Sequence, residues 1–195
     1  MLKDKLKNYK VILASGSPRR QQFFKDLDLD FEIRLKEIEE VYPDNLQGVE
    51  ITNYLAELKA KVFDGEIAEN EILITSDTIV WLNNRALGKP KDYTDAFIIL
   101  KSLSNTTHEV ITSVCFKTKW KTETLFDVTK VTFNTLSDNA IHYYLENYKP
   151  FDKAGAYGIQ DWIGLIGISK IEGSYTNVVG LPTNLVYHYL NTLKS

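Results

Sequence analysis

Residues 11–20, V-I-L-A-S-G-S-P-R-R, constrain the fold more than any other stretch of this chain. The apolar run 11–14 reads as a buried strand. It ends in the small residues Ser15, Gly16 and Ser17. Pro18 then stands where a helix begins, because its fixed φ suits a first helical turn and its missing N–H is not needed there. Ser17 is placed to cap that helix. A strand, a small turn and a helix N-terminus together offer backbone N–H groups to an anion. Arg19 and Arg20 add two permanently charged, forked donors that suit phosphate oxygens. The stretch predicts a polyphosphate site with the other polar motifs gathered round it.

The remaining sequence fits a single domain. The chain of 195 residues is long enough for one sizeable core, or for two lobes sharing a sheet. It has no repeat, low-complexity tract or Pro/Gly-rich linker. A net charge of −3 argues against a general nucleic-acid binder, which carries a basic excess. The single cysteine, Cys115, allows no intrachain disulfide and fits a reducing compartment. In the alternating run V-I-T-S-V-C-F it reads as a buried, inert thiol. Residues 1–10 are charged and hold no apolar core of a secretory leader, and no run is long enough to span a bilayer. The expected location is the cytoplasm, with no membrane and no nucleic acid as partner.

Taken in order, Phe23, Phe24 and Leu27 give one face to a short helix, and Phe31, Ile33 and Leu35 alternate with Glu32 and Arg34 as a strand. The acidic stretch around residues 37–40 reads on charge alone as a solvated loop. Ile51, Tyr54, Leu55, Leu58 and Val62 define an amphipathic helix over about 49–63. Lys59 lies beside that apolar stripe, where it either snorkels at the surface or reaches into a cleft. Residues 72–74 form a buried strand that ends at Thr75, Ser76, Asp77 and Thr78 and resumes at 79–82. An aspartate between two apolar runs is costly unless it is paired, metal-bound or facing a wet cleft, and it reads as functional. Asn83 and Asn84 mark a hairpin turn. Lys89 precedes Pro90 in an extended turn. A helix follows around residues 96–103, then two neighbouring antiparallel strands at 109–116 and 122–133, then a helix capped by Ser137. The small-residue stretch 152–160, D-K-A-G-A-Y-G-I-Q, lets backbone approach a ligand closely. Residues 163–171 read as a strand, and Pro182 opens the last helix. The order predicts an α/β or α+β fold on a mixed sheet.

Several chemistries are excluded. There is no G-x-x-x-x-G-K-[ST] loop, no G-x-G-x-x-G after a strand and no Cys/His metal spacing. His108, His142 and His188 are scattered, and neither Ser15 nor Ser17 sits in a G-x-S-x-G elbow. What remains is a set of anion donors (the turn 15–20, Lys59 and Lys89) and carboxylates (Asp77 and one of 37–40). Cationic groups stabilise charge developing on phosphate oxygens. A carboxylate holds a divalent cation or accepts a proton from attacking water. The residues alone predict phosphate-ester or anhydride chemistry, metal-assisted.

Seven segments in this order resemble one family. They are L-A-S-G-S-P-R-R at 13–20, E-E at 39–40, L-A-E-L-K-A-K at 55–61, S-D-T-I-V at 76–80 and G-K-P at 88–90, then D-K-A-G-A-Y-G-I-Q at 152–160 and G-S-Y-T-N-V-V-G-L-P at 173–182. The sequence resembles the Maf (septum-formation-like) nucleoside triphosphate pyrophosphatases, nearly end to end. The resemblance implies a single domain over 1–195. Its fold would be an elongated α/β molecule, two-lobed round a central cleft, with a twisted mixed sheet and flanking helices, similar to the inosine triphosphate pyrophosphatases. It implies hydrolysis of a nucleoside triphosphate, dTTP or UTP in the subgroup that the 152–160 motif resembles, to monophosphate and pyrophosphate with a divalent metal, Mg²⁺ or Mn²⁺. By position Asp77 matches the proton acceptor. Arg19, Thr78 and Gln160 match positions of substrate choice. Ser15, Arg20, Lys59 and Lys89 match cleft and phosphate-binding positions, and Glu40 joins Asp77 as a metal ligand. A homodimer remains open, as does a non-catalytic nucleotide sensor linked to septum formation, which would need the anion turn but not Asp77. The chain departs from the family pattern at two places, Asp161-Trp162 and Asn105, where glycine is common.

Overall fold

The computed structural model describes residues 2–193. In chain order the elements are α1 (Leu2–Lys5), β1 (Lys10–Leu13), α2 (Pro18–Asp26), β2 (Phe31–Ile33), α3 (Val49–Lys61), β3 (Glu71–Leu82), β4 (Arg85–Leu87) and α4 (Tyr93–Leu103). They continue with β5 (Thr107–Lys117), β6 (Thr122–Phe133), α5 (Asp138–Tyr148), a 3₁₀ turn (Ala154–Ala156), α6 (Trp162–Gly167), β7 (Ile168–Glu172), α7 (Tyr175–Val179) and α8 (Thr183–Thr192). Strand neighbours run β2-β1-β3-β5-β6-β7, and β4 pairs with β3. β1 is parallel to both β2 and β3, whereas β3–β4 and β6–β7 are antiparallel. The fold is therefore mixed α/β on a mixed sheet with flanking helices, as expected. Among the described residues no helix is long and apolar enough to cross a membrane.

Two compact units divide the chain, one of residues 1–77, 112–127 and 180–195, the other of 78–111 and 128–179. In the first, β1 and β3 pair from Lys10↔Glu71 to Leu13↔Ile74. Val11, Leu13, Ile72 and Ile74 pack with Phe24 of α2 and with Val186 and Leu190 of α8. Ile12 and Leu73 pack with Ala56 and Ala60 of α3, Phe63 and Cys115. Burial on both faces explains why these strands read as continuous apolar runs rather than alternating ones. Cys115 is buried as expected, and burial pushes its thiol pKa up.

In the second unit Leu82, Leu100, Val131, Phe133, Ile141, Tyr144 and Ile163 form the core. Ser137 caps α5 through the Ala140 N–H at 3.2 Å, as expected, and Asp92 caps α4 by accepting the Asp95 N–H at 2.8 Å. Asn83 and Asn84 sit at φ +49° and +59° and turn β3 into β4, the left-handed pair a two-residue hairpin requires. Asn105 takes φ +55°, so asparagine occupies the left-handed position that glycine would otherwise fill.

His108 is buried in this core, its Nε2 2.7 Å from the Tyr157 hydroxyl. Burial pushes its pKa from 6.5 down to about 4, so the ring is neutral at pH 7. The unfolded chain takes up this proton near pH 6.5 and the folded chain only near pH 4. Stability is therefore expected to fall as pH drops through that window, by ~3 kcal/mol at its lower end. Urea unfolding of wild type and His108→Gln at pH 7 and 4.5 checks this; the variant loses that part of the pH dependence.

Three local readings differ. β3 is one uninterrupted strand through Thr75, Ser76, Asp77 and Thr78. Residues 163–171 are not one strand: α6 occupies Trp162–Gly167 before β7 begins at Ile168. Ser17 occupies the N-cap of α2 in extended conformation, but its side chain makes no capping hydrogen bond.

Candidate active site

The Ser15–Arg20 turn leaves β1 in the first unit. Pro18 is the first residue of α2, and the Ser15 hydroxyl accepts the Ser17 N–H at 3.3 Å in place of a cap from Ser17 itself. Gln21 Nε2 donates to the Ser15 carbonyl at 3.1 Å. Arg20 is the turn's clamp. Its Nη1 donates to the Ser76 carbonyl and its Nε to the Gly180 carbonyl, both at 2.8 Å, and Nη1 lies 3.5 Å from Ser15 Oγ. The guanidinium thus fastens α2 to β3 and to the turn before α8. Burial pulls the Arg20 pKa down, opposed by the charges of Asp77 and Glu40.

Period two along β3 puts Thr75 and Asp77 on the face that carries Leu73, against α3. Thr75 Oγ1 donates to the Ala56 carbonyl of α3 at 2.6 Å. Lys59 is three residues on from Ala56, on the same side of the helix. Alanine at 56 and 60, both buried, keeps α3 close to the strand. Lys59 Nζ accordingly meets Asp77 Oδ1 at 2.6 Å and Glu40 Oε1 at 3.0 Å. Lys59 is not a snorkelling surface lysine, since its side chain is only 15% exposed. The acidic stretch is a loop, as its charge suggested, but Glu40 turns from it to the ammonium. A second polar anchor holds α3: the Thr52 and Ser113 hydroxyls lie 2.7 Å apart, and Ser113 donates to Asn53 Oδ1 at 2.7 Å.

Asp77 is 6% exposed. Burial pushes its pKa up, while Lys59 and then Arg20 pull it back and Glu40 adds a further push upward. Burial and charge thus act on this carboxyl in opposite directions, and perturbed carboxyls of this kind gather at functional sites.

Glu40 and Asp77 converge on one ammonium, and among the described residues no cluster of three or more His, Cys, Asp or Glu groups exists. Two carboxylates without a third suit Mg²⁺ or Mn²⁺, which take one or two carboxylates and complete their shell with waters and substrate phosphates. They do not suit a closed structural site.

Ser15, Arg20, Glu40, Lys59 and Asp77 are thus brought together in one unit. Arg19 is half-buried in the first turn of α2, and Thr78 follows Asp77 in β3, also half-buried. Lys89 and Gln160 are exposed and belong to the second unit. There the Gly155 N–H donates to the Gly88 carbonyl at 3.1 Å, fastening the Lys89 turn to the 152–160 stretch. Gly155 has φ +69°, and a Cβ there would lie 2.7 Å from Val80 Cγ2. Its missing side chain is required by the close packing against Val80. Sequence reasoning missed Thr75 and the hydroxyl anchors; their only signal is the two-residue spacing of Thr75 from Asp77.

The fold is that of a mixed α/β protein with a buried lysine–carboxylate pair beside a strand-to-helix turn. It is similar to the Ham1 protein of Staphylococcus aureus, at 16% identity and TM-score 0.51 over 94% of this chain and 98% of that one. The Maf-like protein family matches residues 10–193, and this chain belongs to it. Among its relatives, a protein of Flavobacterium johnsoniae named dTTP/UTP pyrophosphatase is 72% identical over 99% of this chain and 100% of its own. One of the same name from Christiangramia forsetii is 54% identical over 99% and 98%.

Proposed function

We propose that this chain is a nucleoside triphosphate pyrophosphatase acting on dTTP and UTP, the substrates in its relatives' names. The observation that carries the reading is the buried Asp77 carboxyl held 2.6 Å from Lys59 Nζ beside the Ser15–Arg20 turn. In the mechanism Asp77 takes a proton from the attacking water. The water oxygen bonds to the α-phosphorus, the bond from that phosphorus to the α–β bridging oxygen breaks, and pyrophosphate leaves. Lys59 is the movable cation: as the triphosphate enters, its ammonium turns from Asp77 to phosphate oxygens and leaves the carboxylate free to accept the proton. Arg20, pinned by two carbonyls, acts as a fixed positive charge, and Ser15 and Lys89 bind phosphate oxygens. Glu40 and Asp77 would hold a divalent cation together with the triphosphate; when bound it neutralises phosphate charge and activates water. Arg19, Thr78 and Gln160 select the nucleotide, an assignment that rests on the sequence motifs.

Purified protein incubated with dTTP, UTP, CTP, ATP and GTP, with Mg²⁺ or Mn²⁺, tests this. The expected result is pyrophosphate release from dTTP and UTP above all others. Nucleotide binding with no turnover under either metal would overturn it in favour of a sensor.

A further inference from the structure

The segment that presents Gln160 is fastened at both ends by a single hydroxyl. The Asp161 N–H donates to the Gly158 carbonyl at 3.0 Å and closes a turn whose corner residues are Ile159 and Gln160. Tyr144, fully buried on α5, accepts the Gly158 N–H at 3.1 Å and donates its hydroxyl proton to Asp161 Oδ2 at 2.7 Å. Burial and the neighbouring Asp161 carboxylate push the Tyr144 pKa up, so the hydroxyl stays a donor at all working pH values.

Three surrounding features leave this turn no slack. Gly158 has no side chain, and a Cβ there would lie 2.6 Å from Asp161 Oδ2. Ile159 is buried, and a Cβ on Gly164 of α6 would come within 2.0 Å of the Ile159 carbonyl oxygen. Asp161 occupies the N-cap of α6, its carbonyl accepting the Gly164 N–H at 2.9 Å. One residue earlier in the loop, Tyr157 is held through its hydroxyl to His108. Gln160 is thus the exposed residue of a turn whose other three members are all anchored.

We propose that Tyr144 and Asp161 are positioning residues for nucleotide choice, acting through Gln160 by fixing the turn that carries it. This rests on Gln160 having the role given it under Proposed function. It also gives Asp161 a purpose: its carboxylate accepts the hydrogen bond that the Tyr144 hydroxyl donates. A turn pinned in this way presents the Gln160 amide in one orientation, and reading a base edge by hydrogen bonds needs a fixed orientation.

The test measures kcat and KM for dTTP, UTP and GTP in Tyr144→Phe, Asp161→Ala, Asp161→Asn and Gln160→Ala. Amide exchange at Gly158 is followed by NMR in parallel. Tyr144→Phe and Asp161→Ala are expected to raise KM for dTTP and UTP about tenfold, the scale of one hydrogen bond to a charged group, with kcat nearly unchanged. Preference over GTP falls with it. Asp161→Asn, which keeps an acceptor oxygen, restores most of the loss, and Gly158 exchange quickens in Tyr144→Phe. Adding Tyr144→Phe to Gln160→Ala changes preference no further. A loss of preference in Gln160→Ala but not in the Tyr144 and Asp161 variants overturns the positioning role alone. Preference unchanged in all of them overturns the reading of Gln160 itself.

Discussion

Asp77→Asn is expected to lower kcat for dTTP by about 10²–10⁴-fold, the range a general base contributes. The amide cannot take a proton from water, yet it has nearly the same shape. The fold should survive, for a physical reason. Burial is the strongest influence on this carboxyl and works against its charged form. Ionising this carboxyl therefore costs the folded protein more than the unfolded chain, and Asn removes that cost. Lys59 keeps Glu40 as a partner at 3.0 Å. Thermal unfolding at pH 7 should show a melting temperature no lower than wild type, which separates lost chemistry from lost structure. Full turnover in this variant would remove Asp77 as the base.

Lys59→Met is expected to lower kcat/KM by about 10²–10³-fold, the cost of losing one preorganised charge from a transition state. Methionine keeps the apolar stem beside Ala56 and Ala60 but carries no charge. The pH profile adds a second, independent signature. Among the groups that pull the Asp77 pKa down, Lys59 is foremost. Without it burial acts with less opposition, the Asp77 pKa rises, and the carboxylate needed as base forms only at higher pH. The acidic limb of the kcat/KM profile should therefore move to higher pH. Lys59→Arg should return that limb toward its original position while recovering activity only in part, because a planar fork does not place its charge where an ammonium does. A lower rate with an unmoved limb would mean that Lys59 does not govern the titration of Asp77.

The sequence made part of this site legible. Asp77 stood out because a carboxylate between apolar runs is expensive, and the structure shows it buried with a lysine against it. The strand around it reads as broken because Thr75 and Ser76 look like turn residues. Both are fully buried, and Thr75 is satisfied by a helix carbonyl that no local pattern announces. Lys59 was placed on the correct helix flank by spacing, but its reach depends on two alanines that bring α3 close to the sheet. Residues 163–171 read as a strand because they are rich in β-branched isoleucine. Packing decides otherwise: Ile163 and Gly164 turn inward while Leu165 and Ile166 face out, a helical period that places Ile163 in the core of the second unit. The helices α1 and α7, of four and five residues, are too short for any periodicity to appear. The Arg20 clamp was hidden for another reason: its partners are backbone carbonyls at Ser76 and Gly180, which any sequence supplies.

In the proposed reaction water, deprotonated by Asp77, attacks the α-phosphorus and expels pyrophosphate. Hydrolysis of dTTP in ¹⁸O-labelled water, with the products separated and weighed by mass spectrometry, tests it most directly. Attack on the α-phosphorus puts one ¹⁸O atom in each thymidine monophosphate and none in the pyrophosphate. Label in the pyrophosphate would place the attack on the β-phosphorus, and release of labelled orthophosphate would place it on the γ-phosphorus; either would contradict the account.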